Sequence, residues 1–463
     1  MIPVVTPERM RAVDAASGEP LDVLVGRAGE AVARAAIELL GGTYGRTVTV
    51  FAGPGNNGAD GRVAAERLAT RGIRVHVFAA DALPAVLPAS DLVIDAAFGT
   101  GFRVDRVGTA PWNPPDVGRV PVLAVDIPSG LDGTTGVAAE RTLAATATVT
   151  FGALKPGHLF GRGPDLCGTL HLAPIGLGPA IADVGGPAIN AVEQSDVAAW
   201  VPARGRTDHK WVSAVRVVAG SPPMRGAASL CAAAAHRAGA GLVALSVPGD
   251  AHGGGPLAPV EAIDRAIPAS GWADTVLADL HRFRALVVGP GLGRDDDTRT
   301  AIADLVTRSS LPIVVDGDGL AALPWNPEGS LAFLRERPGP VVLTPHDGEY
   351  TLLTGARPGP DRIAAAHRLS TLTGAVVLLK GPTTVVAEPG GATYLVTNGD
   401  ERLATAGTGD VLSGVIAALL ARGTSPAEAA AAGAWLHAAA AQAGPRHGLV
   451  ASDLLLELPG VLP

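Results

Sequence analysis

The sequence predicts two α/β domains, each a parallel sheet between two helical layers, on three observations. Short apolar runs of strand length alternate with helix-period segments along almost the whole chain, which is the pattern of strands joined by crossover helices on both faces. The chain has 463 residues, more than one hydrophobic core organises. The alternation fails once, in "PIGLGPAIADVGGPAINAVEQSDVAAWVPARGR", a glycine- and proline-rich stretch without a clean period that reads as a domain connection. The expected domains are 1–204 and 205–463.

In chain order, "LDVLVGRAGEAVARAAIELL" reads as a helix. Strands follow at "TVTVFA", "RVHVFAA", "DLVIDAA", "PVLAVDI" and "ATATVTF", with "DGRVAAERLATRG" as a helix after the first of them. After the connection, strands are expected at "AVRVVAG", "GLVALSVP", "ALVVGPG", "PIVVDGDG", "PVVLTPH", "GAVVLLKG", "TTVVAE" and "ATYLVTN". The last third is helical: "GDVLSGVIAALLARG", "SPAEAAAAGAWLHAAAAQAG" and "ASDLLLELPG".

Composition removes several classes of function. Apolar residues make up 47% and charged residues 17%, the balance of a folded, well-packed chain. A net charge of -8 attracts neither nucleic acid nor an anionic membrane surface. Aromatic residues are only 4%, too few for a stacking platform for single strands. The start shows no basic segment leading into a long apolar one, and Glu428, His437 and Gln442 interrupt the most apolar helix. A soluble cytoplasmic enzyme is therefore expected. Cys167 and Cys231 stand far apart without metal-type spacing, so neither a disulfide nor a structural zinc is expected. The abundance of apolar residues favours self-association, and a homo-oligomer is expected.

The first chemical motif is "GPGNNGADG", where Gly53, Gly55 and Gly58 fit G-x-G-x-x-G after a strand. With Asp81 at the end of the next apolar run, this spacing reads as a dinucleotide dehydrogenase. The alternative bland reading is a turn that uses Asn and Asp for local backbone bonds. Yet Asn56, Asn57 and Asp60 add oxygen atoms, which suit a hard cation or a sugar hydroxyl better than a pyrophosphate. Two further strand ends add more oxygen: Asp95 in "VIDAAFGTG", then Asp126 and Ser129 in "AVDIPSGLDGTTG". The carboxyl ends of parallel strands line one crevice, so Asn57, Asp95, Asp126 and Ser129 are expected to converge.

The second motif is "ATAGTGDVLSG", in which Gly407, Thr408, Gly409 and Asp410 open an apolar helix. Consecutive N–H groups at that terminus form an anion hole, and Asp410 beside it is placed to act as a general base. A simple capping Asp is the alternative, but a cap does not need two flexible glycines. Strand ends nearby carry His346 and Glu349, then Lys380 and Thr383, and "VVGPGLG" supplies Gly289, Gly291 and Gly293. Taken singly, His346 reads as a turn residue and Lys380 as a surface lysine.

With "TVTFGALKPGHLFG" added, the motifs of the first half resemble, in order, the epimerase domain of NAD(P)H-hydrate repair enzymes, a Rossmann-like fold. The resemblance implies a potassium ion at Asn57, Asp95 and Ser129. It places the hydrated nicotinamide nucleotide (NADHX or NADPHX) against Asn56, Asn57, Gly58, Ala59 and Asp60. Further contacts follow at Gly99, Thr100, Gly101, Phe102, Arg103, Val104 and Asp105, and at Asp126. Interconverting the epimers at C6 breaks and remakes the bond to the hydroxyl, for which Asp126, with Lys155 as a second candidate, is the expected acid–base group. Lys155 reads equally well as a surface residue.

The second half is similar to the ADP-dependent NAD(P)H-hydrate dehydratases, relatives of ribokinase-like kinases, through "AGSPPMRGAASL", "VVGPGLG", "TPHDGE", "LLKG" and "ATAGTGDVLSG". That resemblance implies substrate contacts at Ala227, Gly291, His346 and Asp410, and catalysis by Asp410. Adenine-nucleotide contacts are implied at Lys380, Gly381, Pro382, Thr383, Thr384 and Gly409, with magnesium accompanying ADP. Two departures bear on substrate affinity and nucleotide preference: Trp211 follows His209-Lys210 where the family usually has glycine, and "GSPPMRGA" is proline-rich. The competing functions are a ribokinase-type small-molecule kinase with a regulatory first domain, because a phosphate site does not determine the acceptor, and a non-catalytic binding module.

Overall fold

The computed structural model describes residues 1–102, 112–250, 258–325 and 330–463. They divide into two units, one formed by Ile2–Gly186 and the other by Pro187–Pro463 together with Met1. The division therefore falls before the expected 204/205 boundary. Residues 189–191 pair with a strand of the second unit, and Val192, Val197 and Val201 join its core. The strand is only three residues long within a run rich in glycine and proline, so its period is too short to read.

The strands are β1 (Ile2–Pro3), β2 (Thr47–Ala52), β3 (Arg74–Ala79), β4 (Leu92–Ala96), β5 (Val122–Val125), β6 (Ala147–Phe151) and β7 (Thr169–Ala173) in the first unit. Its sheet has the order β3-β2-β4-β5-β6-β7 and is parallel throughout. The chain starts the sheet at β2, lays β3 on one side and then continues with β4 on the other. The crevice between the carboxyl ends of β2 and β4 is thus the switch point, where open α/β sheets take ligands. β4, β5 and β6 are buried along their whole length, which is why they read as continuous apolar runs. β7 mixes exposed and half-buried positions without alternation and was not among the expected strands.

Helix Leu21–Leu40 lays Leu24, Ala28, Val32, Ala33 and Ala36 into the core and ends on left-handed Gly41, the usual conformation after a helix terminus. The helix expected from Asp60 begins at Asn56 and runs to Thr70. Asn56 and Asn57 thus occupy its first turn rather than the preceding loop. Helix Pro7–Ala16, capped by the Thr6 side chain, was not expected.

The second unit contains β8 (Ile189–Ala191), β9 (Ala214–Val218), β10 (Leu242–Ser246), β11 (Ile263–Asp264), β12 (Ala285–Val288), β13 (Ile313–Val315), β14 (Val341–Leu343), β15 (Val376–Leu379), β16 (Thr384–Ala387) and β17 (Thr393–Val396). Their order is β8-β17-β16-β15-β14-β13-β12-β9-β10-β11. The expectation of a parallel sheet needs correction here, because β15, β16 and β17 form successive antiparallel pairs. Their connections are short, and only antiparallel neighbours can be joined without a crossover helix. Helix Thr408–Ala421 is buried on nearly every face. It packs on helix Arg225–Arg237 closely enough that a Cβ at Gly414 would stand 2.2 Å from the Cys231 carbonyl oxygen.

Candidate functional site

In the first unit, three close approaches build the loop after β2. A Cβ at Gly53 would lie 1.9 Å from the Ala97 carbonyl oxygen, and one at Gly58 would lie 1.9 Å from that of Gly53. The first turn of helix Asn56–Thr70 is thereby pressed against the end of β4, and Gly99 packs against the Asn57 side chain. Both polar atoms of the Asn57 carboxamide are buried and have no hydrogen-bond partner among the described residues. An unpaired buried amide is costly, so this side chain is prepared for a ligand.

Asp95, at the end of β4, is fully buried. Its two carboxylate oxygens accept from the Ser129 N–H (2.9 Å) and the Ser129 hydroxyl (2.5 Å). The Ser129 oxygen in turn accepts from the Phe98 N–H at 2.8 Å. Burial raises the proton affinity of Asp95 more than these bonds lower it, and no cationic side chain pairs with it among the described residues. The structure therefore brings Ser129 directly to Asp95. It sets Asn57 beside Gly99, on the same loop as Phe98.

Asp126 follows β5 with φ +63, the one left-handed non-glycine among the described residues, a conformation that costs on the order of 1–3 kcal/mol. Lys155 compensates. Its Nζ donates to Asp126 Oδ1 (2.6 Å), Thr150 Oγ1 (2.8 Å) and the Phe151 carbonyl (3.3 Å). Lys155 is only 1% exposed, so the surface reading of this residue is wrong. His158 Nδ1 accepts from the Lys155 N–H, which leaves Nε2–H to donate to the Asp126 carbonyl at 2.8 Å. Burial, then the Lys155 charge, pushes His158 down to about 4, so it stays neutral and acts as a clamp. For Asp126, burial favours the acid, but Lys155 outweighs it and holds the carboxyl below its usual range. Thr150 and His158 were missed by sequence reasoning. The available signal for His158 is its place three residues after Lys155 in "KPGH".

Of the other expected contacts, Gly99 accepts a backbone bond from Phe102, and Thr100 packs beside Gly133. Asn56 opens the helix, while Ala59 and Asp60 complete its first turns. Arg103, Val104 and Asp105 lie outside the described residues. A cavity of about 780 Å³ lined by Arg27, Glu30, Arg34, Arg67 and His171 shares none of these residues.

In the second unit one carboxylate ties four elements together. Asp316 follows β13 and is 3% exposed. Its Oδ1 accepts from Lys380 Nζ (2.8 Å) and Thr344 Oγ1 (2.7 Å), and its Oδ2 from Ser413 Oγ (2.8 Å). Lys380 follows β15, Thr344 follows β14, and Ser413 belongs to helix Thr408–Ala421. Lys380 also lies 3.6 Å from Glu349. Burial would strip its proton, yet Asp316 and Glu349 hold it above the ordinary lysine value, so the surface reading of Lys380 is wrong as well.

Gly409 stands at this pair: a Cβ there would be 3.6 Å from Lys380 Nζ and 3.8 Å from Asp316 Oδ2. Gly407, at φ +90, starts the helix in a left-handed turn. Asp410, one residue beyond Gly409, is pushed up to about 7 by burial and then by Asp316, with Lys380 opposing. A carboxyl with that proton affinity can exchange a proton at neutral pH.

Gly291, at φ +62, sits so close to Ala227 that the two Cβ positions would be 2.8 Å apart. Ser221 holds the Gly291 carbonyl at 2.9 Å. His346 caps helix Asp347–Thr354: its Nδ1 accepts from the N–H groups of Gly348 and Glu349, and its side chain is mostly exposed. Gly381 and Thr384 form a turn through a 3.3 Å bond, with the Pro382 carbonyl near Gly399. Thr383 is buried. Asp316, Thr344 and Ser413 were missed, although Asp316 ends an expected strand in "PIVVDGDG" and that position was the available signal.

Comparison with known proteins follows the two units. A family model described as NAD(P)H-hydrate dehydratase matches residues 215–459. A second, described as the YjeF-related protein N-terminus, matches 21–86 and 78–157. The chain is 40% identical over 422 residues to the bifunctional NAD(P)H-hydrate repair enzyme Nnr of Mycobacterium tuberculosis (strain CDC 1551 / Oshkosh), covering 84% of this chain and 82% of that one. It is 33% identical to the protein of the same description from Escherichia coli (strain K12), over 96% and 90% of the two chains. Among solved structures, the ADP/ATP-dependent NAD(P)H-hydrate dehydratase of Bacillus subtilis, co-crystallised with ATP and Mg2+, aligns with a TM-score of 0.51 at 31% identity. That alignment covers 58% of this chain and 96% of that one. A ribokinase-like superfamily protein of Enterococcus faecalis aligns at 0.52 with 22% identity, over 59% and 95% of the chains, a likeness of fold. No described helix is long and apolar enough to cross a membrane.

Proposed function

The chain belongs to the bifunctional NAD(P)H-hydrate repair enzymes, and from that premise we propose how its residues divide two consecutive reactions. The first unit epimerises hydrated NADH and NADPH at C6. The second removes water from the S epimer, converting ADP to AMP and phosphate. The observation that carries this reading is the placement of Gly409, Lys380 and Asp316 at one helix terminus, with a proton-exchanging Asp410 one residue on.

In the dehydratase unit, Asp410 takes the proton of the C6 hydroxyl as its oxygen attacks the terminal phosphoryl group. Lys380 and the N–H groups around Gly409 receive the phosphate oxygens. The bridging P–O bond breaks and AMP departs; phosphate then leaves C6 with the bonding pair, C5 gives its proton to water and the ring double bond re-forms. Consuming a nucleotide is useful because phosphate leaves far more readily than hydroxide. Asp316, which holds Lys380 and Ser413, positions both the cation and the helix. Ala227, Gly291 and His346 are assigned to the hydrate, and Lys380, Gly381, Pro382, Thr383 and Thr384 to the nucleotide. Magnesium, when bound with the nucleotide, neutralises charge on the transferring group. No cluster of three or more His, Cys, Asp or Glu side chains suited to a metal occurs among the described residues, so phosphate oxygens would supply part of its coordination.

In the epimerase unit, Asn57, Asp95 and Ser129 are assigned to a potassium ion. The unpaired Asn57 carboxamide and the buried, cation-free Asp95 fit a hard monovalent cation. The ion would anchor the substrate's oxygen atoms when bound. Asp126, fixed by Lys155, is assigned to the hydrate together with Asn56–Asp60 and residues 99–105. Both cysteines are free and buried, in keeping with a cytoplasmic site of action.

The test is incubation with ADP, magnesium and an epimer mixture of hydrated NADH, followed by nicotinamide absorbance and by chromatography of the epimers. Full recovery of NADH from both epimers is expected. Accumulation of a stable phosphorylated product without NADH would replace this reading with a small-molecule kinase.

A further inference from the structure

We propose that Asp60 is the proton donor to the C6 hydroxyl in the epimerase unit, with Asp126 as its opposite base; this assignment rests on the function proposed above. Two carboxyl groups serve acid and base roles when their surroundings separate their protonation states. The surroundings of Asp60 and Asp126 differ in this way.

Asp126 has a cation at 2.6 Å and a hydroxyl at 3.0 Å, and its backbone is clamped by His158. Asp60 is 7% exposed, and its carboxylate has neither a hydrogen bond nor an ion pair among the described residues. Among the described residues, the groups around it leave it without a counter-charge. The guanidinium of Arg62, two residues on, is engaged by the Gly53 carbonyl at 2.8 Å. Asp95, on the neighbouring β4, turns its carboxylate to Ser129. Helix Leu21–Leu40 meets this turn through Gly29, where a Cβ would stand 3.0 Å from the Asp60 carbonyl oxygen. Among the described residues, the charged groups that act on it are Asp126 and Asp14, the latter from helix Pro7–Ala16. Burial first, then Asp126 and Asp14, pushes Asp60 up to about 8. Lys155 lowers the proton affinities of Asp14 and Asp126 and is not among the groups that act on Asp60. Of the two carboxyls, Asp60 thus has the higher proton affinity and Asp126 the lower.

The step balances. The Asp60 proton passes to the C6 hydroxyl while the C6–O bond breaks, and the bonding pair leaves with the oxygen as water. The ring nitrogen lone pair closes a C=N bond to C6. Water then adds to the other face of C6, the C=N pair returns to nitrogen, and Asp126 takes the proton lost by the incoming water. That proton returns to Asp60, which binds it more tightly. No oxidant or reductant is consumed.

The experiment follows interconversion of the two epimers by the full-length protein across pH. Asp60→Asn is expected to lower kcat about 100-fold or more, to change KM less than about threefold, and to abolish the loss of activity on the basic side of the profile. Asp14→Asn, which removes a negative charge near Asp60, is expected to keep that limb and move it to lower pH. An unchanged dehydratase rate on the S epimer and an unchanged thermal melt would show that the fold is intact. Wild-type kcat in Asp60→Asn, or a rise in KM with the basic limb retained, overturns the assignment. Should Asp60→Asn fail to fold, an Asp14→Asn limb that stays in place overturns it. Wild-type protein that does not interconvert the epimers removes the underlying function, and the assignment with it.

Discussion

Asp410 and Asp126 carry the same functional group and are tuned in opposite directions by their neighbours. Burial and Asp316 raise Asp410 to about 7, whereas Lys155 holds Asp126 below the carboxylate range. As a general base, Asp410 works when unprotonated, so dehydratase kcat should rise with pH through about 7 and level off above it. Asp410→Asn should lower kcat about 100-fold or more and remove that rise, as read by the nicotinamide absorbance. The same shift has a consequence for stability. A carboxyl whose folded value lies above its unfolded value binds an extra proton in the folded state, so stability falls as pH rises from about 4 to about 7. In ligand-free protein, Asp410→Asn should therefore melt higher than wild type at pH 8 and alike at pH 4. Equal melting temperatures at both would refute the burial of an ionising Asp410.

At the scale of the element, the sites depend on glycines that let two backbones touch. Helix propensity alone predicts that Gly58→Ala stabilises helix Asn56–Thr70 by about 1 kcal/mol. The structure predicts the reverse, because the new Cβ would fall 1.9 Å from the Gly53 carbonyl oxygen. A loss of about 1–3 kcal/mol is expected in denaturant unfolding, with a larger loss of epimerase activity as Asn57 and Asp60 shift. Legibility followed burial at this scale. β4, β5 and β6 are buried along their whole length and were read directly from apolar runs. β7 and helix Pro7–Ala16 were not, since each keeps several exposed positions and neither gives a strong period. The helix start was misplaced from Asn56 to Asp60 because polar residues at a helix terminus look like a loop.

For the whole molecule, each ligand should stabilise the unit assigned to hold it. A ligand at 100 times its Kd adds about 2.7 kcal/mol. Potassium in place of sodium should raise the melting of the first unit, and Asp95→Asn should cancel that rise. ADP with magnesium should raise the second unit's melting in both proteins. A potassium effect that survives Asp95→Asn would move the ion elsewhere.

The sequence by itself determined the class of the two sheets, the strand ends that carry chemistry and the family, because apolar period and glycine spacing are local properties of the chain. Tertiary structure alone decided that residues 187–204 join the second unit, and that Lys155 is a buried and Lys380 a half-buried partner of carboxylates. It also decided that Asp316, ninety-seven positions from Ser413, binds that hydroxyl. Pairings of this kind depend on which strands become neighbours, and so does the proton affinity of each carboxyl. Neither is written in any short stretch of the chain.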